Sequence, residues 1–337
     1  MFIKSFTEFM LYQKLQHMIV HVTNHCNFRC QHCFIDFSPK NDLKLEHYRA
    51  LGQQAGDLFW LDIGGGEPFL RKDLADIVAC FGAKVVQIPT NGSMQALLID
   101  QVERMKREID AEITISLSLD GLQKTHDEIR KQPGNWDQVW ETFDCLRKIG
   151  GVSIKINTVL NNRNYDEIID LMTDVRQRQP EFHSIILLRG DPINPEFDLP
   201  PLEQVRALGP HIFKILNTYD YGRSRLLAKV LRNYHRYLWN TSLRTLEERT
   251  QVIPCLAGKA HMVVMGNGDV SSCEMLDPVG NIKEHSFDQI RSSRQFKQQV
   301  QDIKDKKCFC THNCAMFDSI MFSARSMPHL VSEKVRA

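Results

Sequence analysis

The sequence contains no long apolar run. None of its 337 residues belongs to a stretch that approaches the roughly 20 consecutive apolar residues a membrane-spanning helix needs. The first twenty residues are interrupted by Lys4, Glu8, Gln13 and Lys14, so they contain no signal-peptide core. We therefore expect a cytoplasmic protein with no membrane partner.

An excess of charge of one sign is also missing. The 42 Lys and Arg residues nearly balance the 41 Asp and Glu residues, for a formal net charge of +1. This balance argues against a general nucleic-acid binder, which normally carries a basic face. The sequence shows no internal repeat and no low-complexity tract, and 42% hydrophobic residues are typical of a globular protein.

Six short β-rich runs alternate with helical patterns. Such alternation is typical of parallel βαβ units, and six units form either an open sheet or a partial barrel. In both architectures ligands bind at the carboxyl ends of the strands. The predicted strands are 18–24, 58–64, 84–92, 113–121, 152–160 and 183–190, and the predicted helices are 43–56, 71–82, 94–108, 136–149 and 165–178.

The character of the chain changes after Gly190. The segment GDPINPEFDLPP carries four prolines and ends the alternation, so it predicts a linker or a lid. Residues 202–250 have a helical, arginine-rich pattern, and from Cys255 onward the chain is rich in glycine and cysteine. We predict a core at 1–190, a linker and helical segment at 191–250, a cysteine-rich domain at 251–322 and a tail at 323–337.

Cys26, Cys30 and Cys33 follow the first predicted strand in C-x3-C-x2-C spacing. Three thiolates on one loop can bind three irons of a [4Fe–4S] cluster and leave the fourth iron open for chemistry. A structural zinc site is the alternative, with His25 or His32 as a fourth ligand. Reduced thiols are expected in the cytosol, where clustered cysteines are more often metal ligands than disulfides.

The triplet, followed by Phe34 at the end of strand one, resembles the radical S-adenosylmethionine superfamily. The resemblance covers roughly residues 16–320 and implies a partial (β/α)6 barrel. In that family the open iron chelates the methionine part of S-adenosylmethionine, and reductive cleavage yields a 5′-deoxyadenosyl radical that abstracts a substrate hydrogen. The second strand ends in GGGEPFL, which resembles the family's GGE motif. By resemblance and by their place at strand ends, the expected cofactor-binding residues are Phe34, Gly65, Gly66, Glu67, Thr90, Ser118, Asp120, Asn157 and Arg189.

Five more cysteines gather near the end of the sequence, and a GNGDV turn signal at 266–270 predicts a hairpin between two of them. This region resembles the SPASM and twitch extensions, which hold auxiliary clusters. Five thiols favour one auxiliary [4Fe–4S] cluster, most simply on Cys255, Cys273, Cys310 and Cys314. Cys308 is then an alternative ligand or a spare thiol. A zinc site with four cysteine ligands is the other possibility.

Three functions remain open from the sequence. The first is oxidation or epimerisation of a small molecule or sugar, in which Cys308 is a candidate hydrogen donor. The second is modification of a peptide, although only some 17 residues precede strand one, which is too few for a leader-binding domain. The third is a metal-binding or electron-transfer protein without catalysis. Either enzyme needs an electron donor such as flavodoxin or ferredoxin.

Overall fold

Nine strands form one sheet within the residues that the structure, a computed structural model, describes (2–37 and 41–331). In chain order they are β1 His17–Thr23, β2 Leu58–Gly65, β3 Ala83–Thr90, β4 Glu112–Ser118, β5 Ser153–Leu160, β6 Phe182–Leu187, β7 His261–Val264, β8 Asp269–Ser271 and β9 Gly280–Asn281. The sheet order is β6-β5-β4-β3-β2-β1-β7-β8-β9. Strands β1 to β6 are parallel and each pairs with the next, which confirms the α/β class and the partial (β/α)6 barrel.

Helices connect the strands and continue the chain beyond the sixth one. Those of the core confirm the predicted alternation, although the predicted helix at 71–82 is shorter, Leu74–Ala79, and a 3-10 turn at Pro68–Leu70 precedes it. The helix that precedes β1 and the one directly after β4 were not predicted. In chain order the helices are α1 Phe2–Tyr12, α2 Leu45–Ala55, α3 Leu74–Ala79, α4 Gln95–Glu108, α5 Gln123–Arg130, α6 Asn135–Ile149, α7 Ile168–Gln177, α8 Leu202–Leu216, α9 Arg225–Glu248, α10 Phe287–Ser292, α11 Arg294–Lys304, α12 Asn313–Met321 and α13 Met327–Val331.

The two faces of the barrel strands differ in chemistry. Successive strand residues point to opposite faces, so one alternate set packs against the helices. That set is aliphatic and buried, as at Val20, Ile63, Ile88, Leu117 and Ile156. The opposite set faces the lumen and is largely polar: His17, His21, Asp62, Gln87, Ser116, Ser118, Lys155 and Asn157.

Contacts across the concave face show how strongly the sheet curves. The Lys155 ammonium on β5 donates a hydrogen bond of 3.1 Å to the side chain of Gln87 on β3, two strands away. The same Gln87 donates to Asp62 on β2 at 3.0 Å. A polar lumen with its own hydrogen-bond network suits a substrate that carries polar groups.

The cysteine-rich region is built onto the barrel sheet. Strand β7 pairs in parallel with β1 from His17↔His261 to Val20↔Val264. Its antiparallel pairing with β8 is the hairpin that the GNGDV turn predicts. The boundary predicted at residue 250 is therefore not a break in the sheet.

The predicted tail lies only partly within the described residues. The predicted tail at 323–337 contains α13, and its residues 332–337 lie outside the described residues. Among the helices that the structure describes, none has both the length and the apolar surface required to cross a bilayer.

Candidate active site

The Cys26–Cys33 loop lies at the carboxyl end of β1. Its backbone is tied to neighbouring segments: Gln31 N donates to Ile129 O at 2.9 Å, and Ile193 N donates to Cys33 O at 2.8 Å. The proline-rich segment after β6 therefore packs against the cysteine loop and acts as a cover for it. These two hydrogen bonds hold the cysteine loop between the end of α5 and the segment after β6.

Two glycines let the end of β2 approach this loop. A Cβ on Gly65 would lie 2.1 Å from Thr23 O, and one on Gly66 would lie 2.1 Å from His25 O. Gly65 also has φ +113°, a backbone conformation that residues other than glycine rarely adopt. The amides of Gly66 and Glu67 donate to Thr23 O and His25 O at 2.8 and 2.9 Å. The GGE motif is thus a backbone support for the cysteine loop.

Glu67 is buried directly below the same loop. Its carboxylate accepts hydrogen bonds from Phe69 N (3.2 Å), Thr90 Oγ1 (2.9 Å) and Asn91 N (2.8 Å). Burial raises the pKa of Glu67 to about 7, although these donors oppose the rise. The structure therefore joins two of the sequence-predicted residues, Glu67 and Thr90, in one contact.

Arg130, which the sequence did not single out, connects the barrel to the first cysteine group. Its guanidinium pairs with Asp120 at 2.6 Å and donates to Cys30 Sγ at 3.8 Å. Burial alone would raise the pKa of Asp120, but Arg130 and two nearby histidines hold it at about 2. The carboxylate of Asp120 accepts hydrogen bonds from Arg130 and from Val159 N, and its predicted contact with the cofactor stays a prediction.

The spacing of the thiols fits a cluster better than a single ion. Zinc–sulfur bonds of about 2.3 Å would hold the ligand sulfurs less than about 4.6 Å apart. In the part of the chain that the structure describes, the one trio of His, Cys, Asp or Glu ligand atoms within 4.8 Å of one another is His17, His261 and Asp318. No three cysteine sulfurs are that close, and the His32 ring faces Asp120 at 3.6 Å. A multi-iron cluster, which separates its ligands further, suits this set.

The remaining strand-end residues meet around the mouth of the lumen. Ser118 and Asn157 are register partners on β4 and β5. Among the described residues, Asn157 Oδ1, Ser116 Oγ and Arg189 Nε are buried atoms without a hydrogen-bond partner. The Arg189 guanidinium lies 5.2 Å from the centre of the Phe34 ring. A ligand bound at the mouth of the lumen would supply hydrogen-bond partners for these buried polar atoms.

Cys255, Cys273 and Cys308 pack into one small cluster with Ala257 and Ile303. Gln251 bridges two of them, since its Oε1 accepts from Cys255 N at 3.2 Å while its Nε2 donates to Cys308 O at 2.9 Å. Burial, then the neighbouring thiolates of Cys310 and Cys308, raise the pKa of Cys255 to about 12. Cys308, predicted as a spare thiol or hydrogen donor, therefore lies within the auxiliary group.

Cys308 also lines a groove on the outside of the protein. This groove, of about 570 Å³, runs along α11 past Asp302 and Lys307. The role of Cys308 as a hydrogen donor stays a prediction.

Cys314, predicted as a ligand, has different neighbours. Its Sγ donates to Asp62 Oδ2 in the lumen at 3.2 Å. Burial raises the pKa of Cys314 well above its ordinary value, and the negative charges of Asp62 and Glu274 raise it further. Cys314 therefore contacts the lumen through Asp62 and shares Glu274 as a charged neighbour with Cys273.

Glu274, the residue after Cys273, links the auxiliary region to the barrel. Its carboxylate accepts from His21 on β1 at 2.8 Å, lies 3.6 Å from Arg189 and also bonds the His312 ring at the start of α12. Burial opposes the charge, yet the two histidines hold the pKa of Glu274 well below its ordinary value. A path of contacts therefore runs from Phe34 through Arg189 and Glu274 to His312.

Sequence reasoning missed several of these residues because their partners are far away along the chain. Asp62 and Lys155 did carry a signal, since a charged residue in an otherwise apolar buried strand needs a local reason. Glu274 stands next to a predicted ligand, which is a weaker signal. The sequence around Arg130 and Gln251 gave no signal that distinguishes them from ordinary polar residues of a helix or a loop.

The barrel, its open cysteine triplet and the second cysteine group together define an iron–sulfur enzyme of the radical type. The model of the radical SAM superfamily matches residues 20–175, and the model of the SPASM iron–sulfur cluster-binding domain matches residues 255–315. The chain belongs to the radical SAM superfamily and carries a SPASM domain. This assignment includes a [4Fe–4S] cluster with S-adenosylmethionine in the barrel and auxiliary iron–sulfur binding in the C-terminal domain.

Curated relatives have several different activities. The AdoMet-dependent heme synthase of Methanosarcina barkeri is 25% identical over 86% of this chain and 85% of its own. The subtilosin biosynthesis protein AlbA of Bacillus subtilis is 23% identical over 82% of this chain and 59% of its own length. A GTP 3′,8-cyclase of Rhizobium etli is 36% identical over 45% of this chain and 46% of its own. The chain thus spans only about half of such cyclases.

Solved structures share the fold at low sequence identity. Streptococcus suis SuiB bound to S-adenosylmethionine has a TM-score of 0.66 and 16% identity, over 89% of this chain and 70% of that one. The anSMEcpe protein with bound AdoMet has a TM-score of 0.62 and 14% identity, over 94% of this chain and 98% of that one. Both comparisons concern the architecture alone.

Proposed function

We propose that this protein cleaves S-adenosylmethionine reductively and abstracts a hydrogen atom from a polar substrate held in the barrel lumen. The observation that carries the proposal is the open cysteine triplet above a lumen lined by polar side chains. When bound, the cluster and S-adenosylmethionine supply a 5′-deoxyadenosyl radical. The protein's own task is to hold both groups, orient the substrate and keep bulk water out.

Different strand-end residues contact different parts of the bound groups. Gly65 and Gly66 bring the β2 backbone to the cysteine loop, and Glu67 offers a buried carboxylate to the methionine ammonium. Phe34 and Arg189 close one side of the cofactor pocket, where the guanidinium suits the methionine carboxylate. Ser118, Asn157 and Thr90 supply hydrogen bonds on the other side. Asp120 acts indirectly, by fixing Arg130 against Cys30.

Two reaction classes fit this arrangement. Oxidation or epimerisation of a small polar molecule or sugar suits the charged lumen, where Asp62 and Lys155 lie within a hydrogen-bond network. Peptide modification is the second candidate, because one SuiB structure is bound to the precursor peptide SuiA and one anSMEcpe structure to a peptide. In either class the chain needs a one-electron donor such as flavodoxin or ferredoxin, and we expect it to act in the cytoplasm.

The test begins with the anaerobically reconstituted full chain, S-adenosylmethionine and dithionite. We expect 5′-deoxyadenosine to form, and we expect the variant with Ala at Cys26, Cys30 and Cys33 to form none. Cys80→Ala is the matched control, because this cysteine is a half-buried thiol outside the site. Product formation by the triple variant would refute the assignment.

A further inference from the structure

Lys155 brings an ammonium group into the barrel lumen with few partners. Its Nζ atom donates a hydrogen bond to Gln87 Oε1 at 3.1 Å, although an ammonium group has three N–H donors. The centre of the Phe182 ring lies 5.8 Å from the same atom, which is a weak contact. Burial lowers the pKa of Lys155, because the charged form loses part of its hydration. The ammonium therefore has the capacity, and an energetic reason, to bind a further partner.

Asp62 is linked to Lys155 through the side chain of Gln87, but its carboxylate is already fully used. Each of its two oxygens lies within hydrogen-bond distance of two donors. For Oδ1 these are Trp60 Nε1 at 2.9 Å and Gln87 Nε2 at 3.0 Å, and for Oδ2 they are His17 Nε2 and Cys314 Sγ, each at 3.2 Å. The lumen near Lys155 thus has hydrogen-bond donors to spare, whereas this carboxylate has no free acceptor.

Ser116 places a second open donor beside Lys155. The two residues are register partners on β4 and β5, and neighbouring strands lie about 4.8 Å apart. Ser116 is fully buried, and its hydroxyl has no hydrogen-bond partner among the described residues. Lys155 is only half-buried although it faces inward, so the lumen has free space on this side. An ammonium and a hydroxyl with hydrogens left to donate form a site for an anion.

We infer that Lys155 and Ser116 form a carboxylate-binding subsite of the lumen, and that the substrate therefore carries a carboxylate group. One ammonium and one hydroxyl match the single charge and the two oxygens of a carboxylate, whereas a phosphate group has a charge of about −2. The flexible lysine stem lets the ammonium turn from Gln87 toward the bound group. The inference rests on the proposed function and names the class of its substrate.

The subsite lies one layer below the residues expected to hold the cofactor. Ser118 and Asn157 are the next register pair on the same face of β4 and β5, two residues nearer to the carboxyl ends of the strands. Two residues of a strand span about 6.6 Å. A substrate whose carboxylate is bound by Lys155 therefore has its neighbouring carbons between the subsite and the cofactor pocket, where hydrogen abstraction takes place.

The first experiment measures the binding of radiolabelled propionate to the full-length protein by equilibrium dialysis. The protein is reconstituted anaerobically and saturated with S-adenosylmethionine without a reductant, so the cofactor pocket is filled and no cleavage occurs. We expect propionate to bind, and we expect its neutral analogue propionamide not to compete. Lys155→Met keeps a side chain of similar length without the charge, so the dissociation constant for propionate should rise about tenfold. Lys84→Met replaces an exposed lysine and is the control.

Ser116→Ala separates binding from folding. Because the Ser116 hydroxyl has no partner among the described residues, its removal breaks no hydrogen bond of that part of the protein. The dissociation constant for propionate should rise about threefold, while urea unfolding and the dissociation constant for S-adenosylmethionine should stay unchanged. Ser272→Ala removes another buried hydroxyl without a partner, outside strands β1 to β6, and should bind propionate like the wild type.

The outcomes distinguish this inference from the proposed function. Propionate that binds equally to the wild type and to Lys155→Met, or no better than propionamide to the wild type, would overturn the inference. Inorganic phosphate that binds more tightly than propionate, and only when Lys155 is present, would overturn the choice of a carboxylate. In each of these cases 5′-deoxyadenosine formation with dithionite would leave the proposed function standing. A wild type that forms no 5′-deoxyadenosine would overturn both.

Discussion

Charged side chains are costly to bury, and this barrel pairs those it contains. His17 lies between Asp318, 2.8 Å from its Nδ1, and Asp62, 3.2 Å from its Nε2. His261 contacts the same Asp318 oxygen at 2.7 Å. Burial alone would lower the pKa of His17, but the two carboxylates raise it to about 10. An imidazolium therefore joins β1, β2 and α12 at the base of the lumen.

The substitution Asp318→Asn should lower the stability of the folded protein and change how that stability depends on pH. A raised pKa means that charged His17 stabilises the folded state fully below about pH 6.5 and that this contribution declines as the pH rises toward about 10. The free energy of unfolding of the wild type should fall as the pH rises across that window. The free energy of unfolding of Asp318→Asn should be about 3 kcal/mol lower at neutral pH and should depend less on pH. Anaerobic urea unfolding at several pH values measures both. Asp302→Asn, in a partly exposed ion pair with Lys307, is the control, and an equal loss in it would contradict the argument.

Glu67→Gln tests a second buried carboxylate. All three contacts of Glu67 come from donors, and two of them are backbone amides. An amide side chain presents one donor to this set, so we expect a loss of stability of about 1–3 kcal/mol. If Glu67 also binds the methionine ammonium, the folded variant should bind S-adenosylmethionine with a higher dissociation constant. This effect is separate from the loss of folding stability. Calorimetric titration of the folded variant measures this, and an unchanged constant would remove Glu67 from the cofactor pocket.

Local spacing predicted some site residues and could not predict others. The cysteine triplet and Glu67 follow strands in short motifs, so a few consecutive residues identify them. Which cysteines group together depends instead on how α12 packs against β2, a contact between residues 252 positions apart. Arg130 is a similar case, because it reaches Cys30 from a position 100 residues away.

At the level of elements, the order of strands was easier to predict than the contacts between them. The β-rich runs predicted the bounds of the six strands to within three residues, since the strand pattern is encoded locally. It did not predict that β7 joins β1, because a four-residue strand has too little pattern of its own. Helix α5 was missed because its sequence, QKTHDEIR, has few apolar positions.

Gly65→Ala should disturb the first cluster and spare the second. Its new Cβ would meet backbone, Thr23 O at 2.1 Å, so the cysteine loop must move. We expect the reconstituted protein to lose about half of its iron and to form little 5′-deoxyadenosine. Gly150→Ala is a matched control, because Gly150 also has positive φ but no atom within 4 Å of the new Cβ. Its cost is backbone strain of about 1 kcal/mol, and its iron content should remain full.

For the whole molecule, the SPASM region completes the barrel. Strand β7 covers the edge of β1, and all four of its residues are buried. Residues of α9 and α12, with Phe9 of α1, share one hydrophobic cluster with Ala260. Residues on both sides of the predicted boundary therefore belong to a common core, and we expect barrel and extension to fold together.

Two variants separate the structural role of the extension from the role of its cluster. A chain that ends at Glu248 lacks β7 and α12, so the β1 edge loses its neighbouring strand, His17 loses Asp318 and Asp62 loses Cys314. We expect it to unfold without a cooperative transition and to bind no stable cluster. The full-length chain with Ser at Cys255, Cys273, Cys308, Cys310 and Cys314 keeps every strand. It should fold, retain about four of the eight irons expected for two cubane clusters, and still cleave S-adenosylmethionine. Iron analysis and circular dichroism of both proteins measure the difference. A truncated chain that folds and holds its first cluster would show that the barrel is independent of the extension, contrary to the shared sheet.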